Sequence, residues 1–145
     1  MNACRYFSNL ERRLSRWYDE PDYGDRVLTL FSRNKSCTLC RQNDGNLTAS
    51  GNFIDTFHEV FIELIMNNKG FVTASSGNLS RATGQVCAES IELIVKIDLN
   101  ITKLSKKEIG ELVGGPQGCD HLVDLVNELS RAVATVIGGK YNLKL

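Results

Sequence analysis

Phe57-His58-Glu59-Val60-Phe61-Ile62-Glu63-Leu64-Ile65-Met66-Asn67-Asn68-Lys69-Gly70-Phe71 is the stretch that decides the fold. From Phe57 to Met66 the chain is rich in β-branched and aromatic residues, and period-two alternation places His58, Val60, Ile62, Leu64 and Met66 on one face. Glu59 and Glu63 fall on the other. Asn67-Asn68-Lys69-Gly70 is then a tight turn, and Phe71 to Leu79 reads as the returning strand. Upstream, Asn43-Asp44-Gly45-Asn46 is a second hairpin signal, followed by an extended run from Leu47 to about Phe57. Val27-Leu28-Thr29-Leu30-Phe31 is strand-like as well. Residues 27–80 therefore predict an antiparallel meander of three to four strands.

Beyond Thr83-Gly84 the apolar period lengthens. Cys87, Ile91, Ile94 and Val95 share one helical face. Ser105 followed by Glu108 forms a capping box before the apolar positions Ile109, Leu112 and Val113. A long final helix is expected from about Asp120 to Ile137, with Leu122, Leu125, Val126, Leu129 and Val133 facing the core and Gly138-Gly139 ending it. Strands first and helices afterwards predict an α+β fold, with the helices of 84–139 packed on one face of the sheet. Residues 1–26 add an amphipathic helix, carrying Tyr6, Phe7, Leu10, Leu14, Trp17 and Tyr18, and a polar loop. The whole of 1–145 reads as a single domain.

Composition narrows the function classes. The 145 residues are 42% apolar and 23% charged, with 17 basic side chains against 17 acidic ones. This is ordinary globular usage, and the even balance gives no reason to expect nucleic acid as a partner. No apolar stretch approaches the ~20 residues of a membrane span, and no apolar segment follows the arginine-bearing start as in a secretory signal. The expected compartment is the cytoplasm, where the five cysteines are reduced and read as ligands, core residues or redox groups.

The chemistry concentrates near the end, in Gly114-Gly115-Pro116-Gln117-Gly118-Cys119-Asp120-His121-Leu122. The glycines allow close backbone approach and deliver a thiol and an imidazole to a helix start, where the partial positive charge favours a thiolate. Side chains two apart in a helix diverge by about 200°. Cys119 and His121 can serve one centre only if Cys119 is at or before the N-cap. With His58 and Cys87 they make a Cys₂His₂ set, suited to zinc or to an iron–sulfur cluster. Asp55 stands three residues before His58 as a fifth ligand or as the carboxylate that orients its imidazole. Taken singly, His58 reads as a hydrogen-bonded core histidine and Cys87 as a small core residue. Cys37-Thr38-Leu39-Cys40 is half of a zinc or redox motif beside an expected hairpin, with no second half.

From about Asp44 to Ala134 the chain resembles a widespread bacterial family classed as a domain of unknown function. The resemblance rests on Asp44-Gly45, Asp55-Thr56-Phe57-His58, Cys87 and Gly118-Cys119-Asp120-His121-Leu122. Asp120 stands where that pattern has threonine. In element order the chain is also similar to iron–sulfur scaffold proteins of the IscU/NifU type. It departs from them in having Cys-x-His instead of adjacent His-Cys, and His58 on a strand instead of a first cysteine loop.

Three functions follow as expectations. The first is a metal-binding domain holding zinc or iron, acting in metal or cofactor handling with a protein partner in maturation and with a homodimer as one assembly. The second is an enzyme in which Cys119 is a nucleophile or a metal-bound thiolate. The third is an interaction module whose cysteines are core.

Overall fold

The computed structural model describes residues 31–82 and 85–139. The predicted N-terminal helix and most of the predicted first strand (27–30) lie outside these residues. Four strands follow one another in an antiparallel meander: β1 (Arg33–Arg41), β2 (Leu47–Asp55), β3 (Glu59–Met66) and β4 (Val72–Arg81), in spatial order β1-β2-β3-β4. The C-terminal part carries α1 (Gln85–Glu89), a 3-10 helix (Ser90–Lys96), a 3-10 turn (Ile101–Lys103), α2 (Lys106–Val113), a 3-10 turn (Gly115–Gln117) and α3 (Asp120–Ile137). This is the α+β arrangement expected from the sequence. Among the described residues no helix is long and apolar enough to cross a membrane.

The alternation of β2 and β3 builds the core face. Leu47, Ala49, Phe53 and Asp55 are buried, as are Val60, Ile62, Leu64 and Met66 on the neighbouring strand. The register pairs Phe53 with Val60, Gly51 with Ile62, Ala49 with Leu64 and Leu47 with Met66. The helix α3 lies over β1 and β2, and the 3-10 helix lies over β4. Gly51 is what lets α3 come so close: a Cβ there would stand 2.9 Å from Leu125 Cδ1. The core side of α3 is Leu122, Leu125, Val126, Leu129 and Val133, all buried, at the i, i+3, i+4, i+7 spacing of one helix face. Each such side chain contributes about 1.5–3 kcal/mol when fully buried. Buried polar groups are satisfied: the Ser130 hydroxyl donates to the Ile101 carbonyl at 2.7 Å, and that of Ser90 to the Cys87 carbonyl at 2.6 Å.

Three local expectations can be set against the structure. Of the strand-like run Val27–Phe31 only Phe31 is among the described residues; it is exposed and precedes β1, which begins at Arg33. Cys37 and Cys40 lie on β1, in the β1–β2 hairpin, paired with Gly51 and Thr48. Three positions apart on a strand, they point to opposite faces and cannot close on one ion as a zinc half-site does. Val95 is 64% exposed while Ile94 is buried. The segment winds as a 3-10 helix, in which i and i+3 eclipse, so the fourth position of the predicted α-helical face rotates into solvent.

Candidate functional site

The site grows out of the connection between β2 and β3. Residues 56–58 must reverse the chain, and Asp55 organises that reversal. Its Oδ1 accepts from the backbone N–H of Phe57 at 2.8 Å and of His58 at 2.7 Å, an Asx-type turn closed by the Asp55 N–H donating to the His58 carbonyl at 2.8 Å. The same Oδ1 lies 3.1 Å from His58 Nδ1, which fixes the ring. The Asp55 side chain is 2% exposed. Arg81, at the end of β4, donates to the Asp55 carbonyl at 2.8 Å, and Arg33, at the start of β1, places Nη2 3.3 Å from Oδ2. Burial alone would raise the carboxyl pKa. The N–H donors of Phe57 and His58 and the His58 ring outweigh it, so the pKa is lowered and the group stays ionised.

The second half of the site comes from the glycine-rich turn. Cys119 is the N-cap of α3, with extended backbone angles, and its N–H donates to the Val113 carbonyl at 2.9 Å. This is the geometry the sequence demanded, with Cys119 still in the turn and His121 in the first helical turn. His121 Nε2 reaches to 3.8 Å from Asp55 Oδ2, and its opposite nitrogen, Nδ1, lies 3.5 Å from Cys119 Sγ. The His121 ring packs on Phe53 at 4.7 Å and on His58 at 4.2 Å between centroids. Desolvation by these neighbours, and then the proximity of His58, outweigh the attraction of Asp55 and lower the His121 pKa from 6.5 to about 4. At neutral pH the ring is uncharged, the form in which imidazole binds a metal.

Donor atoms of Asp55, His58 and His121 all lie within 4.8 Å of one another, and among the described residues this is the group so disposed. Three of the five residues expected from the sequence thus meet. Cys119 stands behind His121, against the nitrogen that faces away from Asp55. Cys87 is buried on α1, with its carbonyl accepting from Ser90, and is outside the group of three. Asp55, expected from the sequence as a fifth ligand or as the carboxylate that orients His58, approaches both imidazoles. The sequence reading missed Arg33 and Phe53. Strand alternation from Asp55 puts Phe53 on the same face, and that was the available signal; nothing in the chain's order marks Arg33. Compared with known protein families, characterised proteins and solved structures, the chain shows no significant match to any of them.

The His121 titration has a consequence for stability. Its folded pKa lies below its ordinary value, so between about pH 6.5 and about pH 4 the unfolded chain binds a proton that the folded chain does not. Stability is full above that window, falls as pH drops through it, and levels off below. Urea unfolding of the metal-free protein at steps from pH 7.5 to pH 4 is expected to show a loss of up to about 3 kcal/mol from this ring. His121→Asn is expected to flatten that part of the profile.

Proposed function

We propose that this protein binds a divalent transition metal, zinc or iron, through Asp55, His58 and His121. The observation that carries the reading is the convergence of one ionised buried carboxylate and two imidazoles from two separate parts of the chain, the β2–β3 turn and the start of α3. Two histidines and one carboxylate are the donor set of many catalytic zinc sites and of non-haem iron sites, and three protein ligands leave positions for water or substrate. Around a tetrahedral ion with ligands at 2.0–2.2 Å, donors stand about 3.3 Å apart. The 3.8 Å between Asp55 Oδ2 and His121 Nε2 has to close by about half an ångström to fit such a shell, and a separation at the group's 4.8 Å limit would have to close by about 1.5 Å. Cys119 would act from behind, orienting His121 through Nδ1, as outer partners of ligating imidazoles do. A role in metal or cofactor handling fits an open three-ligand site of this kind, and so does metal-dependent catalysis.

The test is elemental analysis and zinc titration of tag-free protein at pH 7.5. About one zinc per chain is expected for the wild type, since the donors describe a single site. His58→Ala and His121→Ala are expected to remove binding. Cys119→Ser is expected to weaken it about tenfold, as loss of an outer partner does, and not to abolish it. Binding that survives in His121→Ala would reject this ligand set.

A second reading has one observation in its favour. Sulfur, imidazole and carboxylate are in line: Cys119 Sγ on His121 Nδ1, and His121 Nε2 toward Asp55 Oδ2. This is the order of a thiol nucleophile, its base and an orienting acid. Against it, Cys119 is only 2% exposed, and a nucleophile has to be reached by its substrate. The Cys119→Ser variant separates the two readings, because thiol chemistry requires the sulfur whereas the metal centre retains binding without it.

A further inference from the structure

Beside the three-residue group is a cavity of about 390 Å³, and His121 is common to both. Its wall includes Arg33, Phe53, Lys106, Val123 and Asp124. Phe53 and Val123 supply an apolar floor. Asp124 is already engaged by Lys35, whose ammonium donates to it at 2.6 Å. Asp120 completes the lining at the first turn of α3, where the helix N-terminus favours an acidic side chain. Arg33 and Lys106 face the space together with these two carboxylates, and with Lys35 counted the surrounding cations are three against two. The cavity volume is within the size range of small-molecule sites, and its lining is mostly polar, with Phe53 and Val123 as the apolar side chains.

Arg33 links the cavity to the proposed metal. Its guanidinium lies 3.3 Å from Asp55 Oδ2 and 5.1 Å over the Phe53 ring, and its side chain is 46% exposed. A divalent ion ligated by Oδ2 would stand next to that guanidinium. A guanidinium so close to a divalent ion repels it, so metal binding favours movement of Arg33 away from Oδ2. The exposed side chain is able to move, and the space it already borders is the cavity.

Resting on the metal-binding reading, we infer that the cavity binds a small organic anion, a carboxylate with an apolar body, and that Arg33 couples the two sites. The carboxylate takes the guanidinium released from Asp55, together with Lys106, and the apolar body packs on Phe53 and Val123. Arg33 opposes the metal while it remains on Asp55 and ceases to do so once an anion holds it. The two ligands therefore strengthen each other's binding, and by linkage the effect is reciprocal.

Cobalt(II) titrations of tag-free protein, followed by visible absorption, test this with benzoate as the anion, acetate as the anion without an apolar body and benzyl alcohol as the neutral analogue. Saturating benzoate is expected to tighten Co(II) binding about tenfold, within the usual range of coupling between sites. Acetate is expected to do less and benzyl alcohol nothing. Weak solution complexes of Co(II) with benzoate would shift the apparent affinity in the opposite direction. Arg33→Met is expected to bind Co(II) more tightly than the wild type without any anion, and to lose the benzoate enhancement. If Co(II) binds with dependence on His121 but benzoate leaves its affinity unchanged, or benzyl alcohol tightens it equally, the anion site and its coupling are refuted and the metal centre stands. If Co(II) does not bind, both fall.

Discussion

Asp55→Ala is expected to remove metal binding and to cost about 3 kcal/mol of stability, because the substitution empties a buried carboxylate site and takes the acceptor from several part-buried donors. The N–H groups of Phe57 and His58 lose the oxygen that closes the β2–β3 turn, and the His58 ring loses its anchor. Arg33 contributes little to this sum, since half its side chain is in water and exposed pairs are weak. Asp55→Asn separates the two roles. Its amide oxygen can still accept from the turn N–H groups, while the amide nitrogen replaces Oδ2 where Arg33 and His121 approach. Urea unfolding is expected to show about 1 kcal/mol of loss for Asn, the scale of one weakened hydrogen-bonded contact. Zinc titration is expected to show no binding for either variant. Equal destabilisation by Asn and Ala would mean that the turn is not what Asp55 holds.

Gly118→Ala is expected to have the largest structural effect of an added methyl group among the described glycines. A Cβ at Gly118 would sit 2.2 Å from the Val113 carbonyl oxygen and 2.3 Å from that of Gly114. Both are backbone atoms of the turn that connects α2 to α3, and the adjacent Cys119 N–H is bonded to the same Val113 carbonyl. Neither oxygen can swing away as a side-chain tip does. The chain has to pull α2 and the start of α3 apart, which also withdraws Cys119 and His121 from Asp55. A loss of about 4 kcal/mol or more is expected, at the extreme of single-substitution effects. Gly110→Ala is the control. It sits inside α2 with nothing within 4 Å of the added carbon, so the same chemical change is expected to stabilise by about 0.5–1 kcal/mol through helix propensity. Thermal or urea unfolding of the two variants side by side checks the contrast in sign.

The contrast shows what could be read in the linear chain. The close approach at Gly118 and the N-cap position of Cys119 followed from a local rule: two donors separated by one residue can cooperate only if the helix starts between them. The long amphipathic α3 and the capping box at Ser105 were legible for the same reason, because their signals lie within a few consecutive residues. The hairpin turns at Gly45 and Gly70, both with positive φ, belong with them. What was not legible depends on distance through space. Asp55 read either as a fifth ligand or as a partner of His58, since the sequence showed only their three-residue spacing. Its place at the junction of β1, β4 and α3 arises from pairing, which brings Arg33 and Arg81 to the same strand ends. The 3-10 winding of Ser90–Lys96 was hidden because its apolar spacing also satisfies an α-helix, and only the exposure of Val95 separates the two.

The chain has two histidines, so one spectrum addresses the central claim. Long-range ¹H–¹⁵N correlation of the imidazoles, recorded at pH 7.5 on tag-free protein as zinc is added to one equivalent, resolves each ring nitrogen. His58 and His121 are expected to change together, each with one nitrogen moving to a metal-bound shift, and to stop changing when a single ion per chain has been added. A change confined to one ring, or two rings that titrate with different amounts of zinc, would contradict a shared centre on Asp55.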